Sequence, residues 1–184
     1  MNTQVRTLEE QRQEFAQRKF LAMPLAGLIM WTIVGIGGIF LTPILKVWLL
    51  FICTGFIAFL GMFISKFTGE NFLDKKKPKN TFDNLFFLAM GEALLVYAIA
   101  LPFFVVDYTS LPLTVGILTG LMWLPFSWIV QHWVGLFHGI VRTVSVLVLW
   151  YLFPDLRFVV IPFAIVLLYI ITIVILLKRA KSVN

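Results

Sequence analysis

Six stretches of about twenty mostly apolar residues follow one another along this chain, parted by short polar punctuation. A bilayer's hydrocarbon layer of ~30 Å is crossed by roughly 20 helical residues at 1.5 Å each, and a helix keeps all its backbone polar groups paired inside lipid. Lengths of this kind, repeated six times, leave little room for any other fold. The stretches cover 20–41, 47–65, 84–106, 111–130, 134–153 and 158–177. Only Gln131, His132 and Trp133 separate the fourth from the fifth. Fused, the two would measure roughly 60 Å, twice the available thickness, so a tight helical hairpin is expected there.

Composition agrees: 60% of the 184 residues are hydrophobic and 13% charged, against about 45–50% and about 25% in soluble domains. The fold class expected is therefore an all-α integral membrane protein, a bundle of about six transmembrane helices. Residues 1–19 should form a short cytoplasmic N-terminal helix. Thr7 and Glu10 have capping-box spacing, and Glu14 stands four residues before Arg18, so a helix is expected from Leu8 into the first span. The acidic residues Glu9, Glu10 and Glu14 argue against a cleaved signal peptide. Residues 178–184 are expected as a cytoplasmic tail. No loop is long enough for a separate soluble domain.

Basic residues set the expected orientation, because Lys and Arg near the ends of spans accumulate in the cytoplasm. With six crossings and the N-terminus inside, one side collects Arg6, Arg12, Arg18, Lys19, Lys66, Lys75, Lys76, Lys77, Lys79, Lys178, Arg179 and Lys181. The other collects Lys46 and Arg157 alone. Topology thus accounts for the net charge of +6, and no nucleic-acid partner is expected. Aromatic residues fit the same frame, with Trp48, Tyr108, Trp150 and Tyr151 near the outer boundary and Trp128 and Trp133 near the inner one. The implied location is a plasma membrane of the bacterial inner-membrane type, crossed several times, with both termini cytoplasmic.

Ionisable groups inside spans are costly and tend to face protein or water, which makes Glu92, His138 and Arg142 the candidate intramembrane polar site. Glu92 and Arg142 each lie eight residues in from the same face, ~12 Å deep. His138 shares a helical face with Arg142 four residues later, Ser145 extends that stripe and Gln131 precedes it by seven. An ion pair of Glu92 with Arg142, with His138 beside it, is the expectation. Such a trio either orients two helices or serves a function, in which Arg142 binds an anionic group, His138 titrates near neutral pH and Glu92 accepts a proton.

Lys75, Lys76, Lys77 and Lys79 could contact anionic lipid, or simply hold their loop in the cytoplasm. Gly116 with Gly120 and Gly135 with Gly139 form two GxxxG pairs, expected to pack the fourth and fifth spans against each other. The sixth span, nearly all Ile, Val, Leu and Phe, is expected to face lipid or merely to pack. No catalytic residue is identified: GxSxG, HExxH, Walker and CxxC motifs are absent, and Cys53 is the one cysteine. His132 and His138, six apart, point to different faces, so neither a metal nor a cofactor is expected.

The run from Gly55 to Ser65, the stretch Gly91-Glu92-Ala93-Leu94-Leu95 and Leu124-Pro125-Phe126-Ser127-Trp128 together resemble a family of small bacterial inner-membrane proteins of about six helices, catalogued as a domain of unknown function. The resemblance covers residues from about 10 to 177. It implies a six-helix fold in a bacterial plasma membrane and no particular activity. Near Glu92 it implies an amide, where this chain carries a carboxylate.

Two functional readings remain. In one, the protein is structural or accessory and binds lipid, a partner membrane protein or further copies of itself; the lack of motifs favours it. In the other, it is a small proton-coupled carrier or channel in which Glu92, His138 and Arg142 line a path. An enzyme, such as an intramembrane hydrolase using Glu92 and His138, ranks behind both.

Overall fold

The computed structural model describes residues 6–74 and 78–183, and among these it contains helices and turns but no strand. Six helices, or pairs of helices in line, are long and apolar enough to cross a membrane. The first is α2 (Ala22–Phe40) and the second α3 (Pro43–Thr68). The third is α4 (Thr81–Leu95) continued by α5 (Tyr97–Val106), and the fourth is α6 (Leu111–Leu118) followed by α7 (Trp123–Val130). The fifth is α8 (Val134–Leu152) and the sixth α9 (Arg157–Val183); α1 (Leu8–Ala16) precedes them all. The chain is a multi-pass helical membrane protein.

Local chemistry sets many of the boundaries. The Thr7 hydroxyl accepts from Glu10 N–H while the Glu10 carboxylate accepts from Thr7 N–H, a reciprocal cap that starts α1. Pro43 opens α3, where its missing N–H costs nothing, and Gly69 closes it in the left-handed region at φ 79°. The Asn80 side chain accepts from Phe82 N–H at the start of α4. Gln131, at φ 49°, turns the chain between α7 and α8, which makes this the tight hairpin anticipated between the fourth and fifth spans.

Two boundaries differ from expectation. The helix begun at Leu8 does not run on into the first span but stops at Ala16, and the chain reverses through Phe20 at φ 56°. Burial of Phe15 and Phe20 holds this corner, their rings 5.0 Å apart, and Arg18 fixes it by a two-pronged ion pair with Asp83 of α4. Residues 178–183 are not a separate tail: α9 carries on through Val183. Arg179 on this extension donates to the Ala16 and Arg18 carbonyls, which ties the last turns of α9 to the corner between α1 and α2.

Packing places α2 against both α3 and α9, with α8 against α6, α7 and α9. Trp31, Leu50, Leu111, Val115, Val146, Ile161, Ile165 and Leu176 are fully buried between them. The sixth span therefore packs centrally along one side, against α2, α6 and α8, while Leu167, Ile170, Val174 and Leu177 stay exposed on the other. The third span is the least buried of the six. It leans on its neighbours through Tyr97, whose hydroxyl meets Thr54 Oγ1 at 2.7 Å, and through Phe104, which packs edge-on to Phe51.

Candidate functional site: a buried arginine core

A break in the fourth span creates the site. After Leu118 the chain leaves α-helical bonding for four residues, and Gly120 N–H turns to the Ile117 carbonyl at 2.8 Å. The Gly116 carbonyl thereby loses the partner that a continuous helix would give it. Arg142 Nε donates to it at 2.6 Å. The same guanidinium donates to Thr119 Oγ1 at 2.9 Å and to Tyr169 Oη at 3.2 Å. Gly120 makes the approach possible, because a Cβ there would lie 2.8 Å from Arg142 Cδ.

Arg142 is wholly buried, yet no carboxylate lies within ion-pair distance of it among the described residues. Three neutral oxygens and two aromatic faces, Trp31 at 5.4 Å and Tyr169 at 5.7 Å, surround the charge instead. Arginine suits such a site, since its spread charge and fork of donors reach several acceptors at once. His138, one turn earlier on α8, is equally buried. Its Nδ1 lies 2.8 Å from Thr172 Oγ1, and its ring stacks on Trp123 at 4.3 Å. His138 Nε2 and Trp31 Nε1 are buried without a hydrogen-bond partner.

Of the five residues expected to share one polar site, the structure brings together only His138 and Arg142. Glu92 is excluded from the core: it lies exposed on α4 and makes no ion pair or side-chain hydrogen bond among the described residues. α4 carries it on a face turned away from the buried Arg142. Ser145 is also separate, since its hydroxyl returns to the Val141 carbonyl of its own helix at 2.6 Å. Gln131 sits outside the stripe, in the turn after α7, with its amide against Arg12 of α1; turned with its oxygen toward the guanidinium, the amide accepts from Arg12.

Residues that sequence reasoning missed complete the core: Trp31, Thr119, Trp123, Tyr169 and Thr172. Tyr169 and Thr172 stand three apart in an otherwise aliphatic span, a spacing that puts both on one face and could have marked α9 as an inward-facing helix. Glu70 was missed as well. It is buried, and its carboxylate accepts from Leu21 and Ala22 N–H at 2.7 and 3.0 Å, so it caps α2 from 49 residues away.

The four packing glycines gather along the hairpin. A Cβ on Gly135 would strike the Trp123 carbonyl oxygen, one on Gly139 would meet Leu124 Cδ2 at 3.0 Å, and one on Gly116 would meet Val146 Cγ1 at 3.3 Å. Of the four lysines proposed to touch anionic lipid, Lys79 is exposed and its carbonyl accepts from Arg6. Lys75, Lys76 and Lys77 lie outside the described residues. An apolar pocket lined by Phe20, Met23, Phe72, Phe86 and Trp123 leads in from this end and stops at the Trp123 ring that covers His138.

Six apolar spans, four of which (α2, α6, α8 and α9) enclose an arginine held by neutral partners, define a polytopic helical membrane protein. The chain belongs to DUF7010, a family of unknown function, whose family model matches residues 8–179. No curated protein and no solved structure matches it.

Proposed function

We propose that this protein is a non-catalytic accessory protein of a bacterial plasma membrane, with its lysine-rich end and both termini in the cytoplasm, and that it works by binding a partner inside the bilayer. Glu92 carries this reading. It lies eleven residues into a span of 26, or about 16 Å along it, where an ionisable side chain facing hydrocarbon is expensive and almost always faces protein or water. Here it is exposed, and the protein offers it no partner among the described residues. A second surface in the membrane would supply what it lacks.

A proton-coupled carrier built from Glu92, His138 and Arg142 has less support, because the carboxylate is apart from the other two and both of those are closed off by packed side chains. Lys79, with Lys75, Lys76 and Lys77 in the same loop, would add attraction to anionic lipid of about 1 kcal/mol per basic side chain.

Photocrosslinking in native membranes tests the reading. A photoreactive residue in place of Leu88 or Leu95, both 72% exposed beside Glu92, should give discrete protein adducts. The same probe at Ile140 or Leu167, exposed on α8 and α9, should give lipid labelling alone. Lipid labelling alone at all four positions would overturn the proposal.

A further inference from the structure

We infer that the partner of the Glu92 face is a second copy of this chain, joined along α4 and α5 in a two-fold dimer; this rests on the reading just given. Leu85, Leu88, Glu92, Leu95 and Ile99 are spaced 3, 4, 3, 4, the interval of a helix–helix seam. All five are exposed. They form an apolar stripe interrupted at one position by a polar group, the arrangement by which a buried polar residue fixes register and partner number between two helices.

Self-pairing follows from depth. A two-fold axis along the membrane normal sets the same residue of each copy at the same level and makes the interface the same patch on both. Glu92 then meets Glu92 of the other copy without further adjustment. One proton shared by the pair lets a Glu92 O–H donate to the carboxylate oxygen of the other copy's Glu92. Both polar groups leave the hydrocarbon, and such hydrogen bonds hold membrane helices together. A foreign partner would need its own polar group at matching depth. Gly91, next to the seam, leaves open space where a side chain would stand, which permits close approach of a neighbouring backbone. The low burial of this span within its own bundle is consistent with packing that a second copy completes.

The test uses full-length protein, purified and reconstituted in phosphatidylcholine vesicles, with cysteine introduced at Leu88 or Leu95. Oxidation should give a disulfide-linked species of twice 21.1 kDa. The wild-type chain, whose Cys53 is buried, and a Leu167→Cys control should not. Adding Glu92→Leu should reduce the linked fraction at least five-fold, while Glu92→Gln, which keeps a donor and an acceptor, should hold it within two-fold. Equal linking at Leu167→Cys would mean random collision and would overturn the dimer. No linking in vesicles, with adducts to a protein of different mass in native membranes, would also overturn the dimer but leave the partner-binding reading standing. No linking in vesicles and no protein adduct in native membranes would remove both.

Discussion

Arg142 holds a full positive charge among the Gly116 carbonyl, two hydroxyls and two aromatic rings. The arrangement depends on the planar fork, because one nitrogen of an ammonium cannot span three acceptors on two different helices. Arg142→Lys should therefore lower the thermal midpoint in detergent. Arg142→Ala should lower it further, by about 3–5 kcal/mol in stability, since it leaves a cavity and orphans the Gly116 carbonyl. A midpoint unchanged by Arg142→Ala would show that the core does not depend on the guanidinium. His138 and Arg142 were legible in the sequence as ionisable residues four apart in an oily span. Glu92 was legible too, but the side of α4 that carries it was not. Counting residues from the membrane face gives the depth of a side chain and says nothing of its direction around the helix axis, which depends on how α4 packs. Thr119, Tyr169 and Thr172 drew no attention because hydroxyls in spans usually bond back to their own helix, as Thr54, Thr114 and Thr143 do here.

At the level of elements, the hairpin of α7 and α8 brings backbone close to backbone. Gly135→Ala drives a methyl into the Trp123 carbonyl and to 2.7 Å from Ser127 Cβ. It should cost about 1–3 kcal/mol. Gly55→Ala, where the added methyl meets nothing within 4 Å, should be neutral or slightly stabilising through helix propensity; comparing the two melting curves tests this packing. The turn itself responds to pH. The His132 ring nitrogen Nδ1 accepts from Val134 N–H at 3.2 Å, at the first residue of α8. Partial burial, and then the nearby Arg179 charge, hold His132 below its ordinary value of 6.5. Unfolded chains thus bind this proton more readily than folded ones, so the turn is fully stable above pH about 6.5 and loses stability as the pH falls below it. Hydrogen exchange at Val134, corrected for the intrinsic effect of pH, should speed up between pH 7 and 5 in the wild type. A similar change in His132→Gln would exclude the imidazole as its cause. The break at residues 119–122 could not be read from the sequence: Thr-Gly-Leu-Met carries two weak helix formers beside two strong ones, and the break is held by Arg142 from another helix.

For the molecule as a whole, six apolar blocks and the clustering of charge were enough to anticipate an all-helical, multi-pass chain, because bilayer thickness restricts helix length so strongly. The sequence did not reveal that α1 folds back across the end of the bundle or that α9 runs to Val183. Both depend on polar contacts between residues far apart in the chain, Arg18 with Asp83 and Arg179 with the Ala16 carbonyl. A chain that crosses the lipid six times keeps α1 and the end of α9 on the same side. The most direct measurement is labelling of single introduced cysteines by a membrane-impermeant maleimide on intact cells. Thr42→Cys and Asp155→Cys should react from outside, whereas Gln13→Cys, Lys79→Cys and Lys181→Cys should react only after permeabilisation. Reaction of Gln13→Cys and Lys181→Cys from opposite sides would mean an odd number of crossings and rule out the six-span chain.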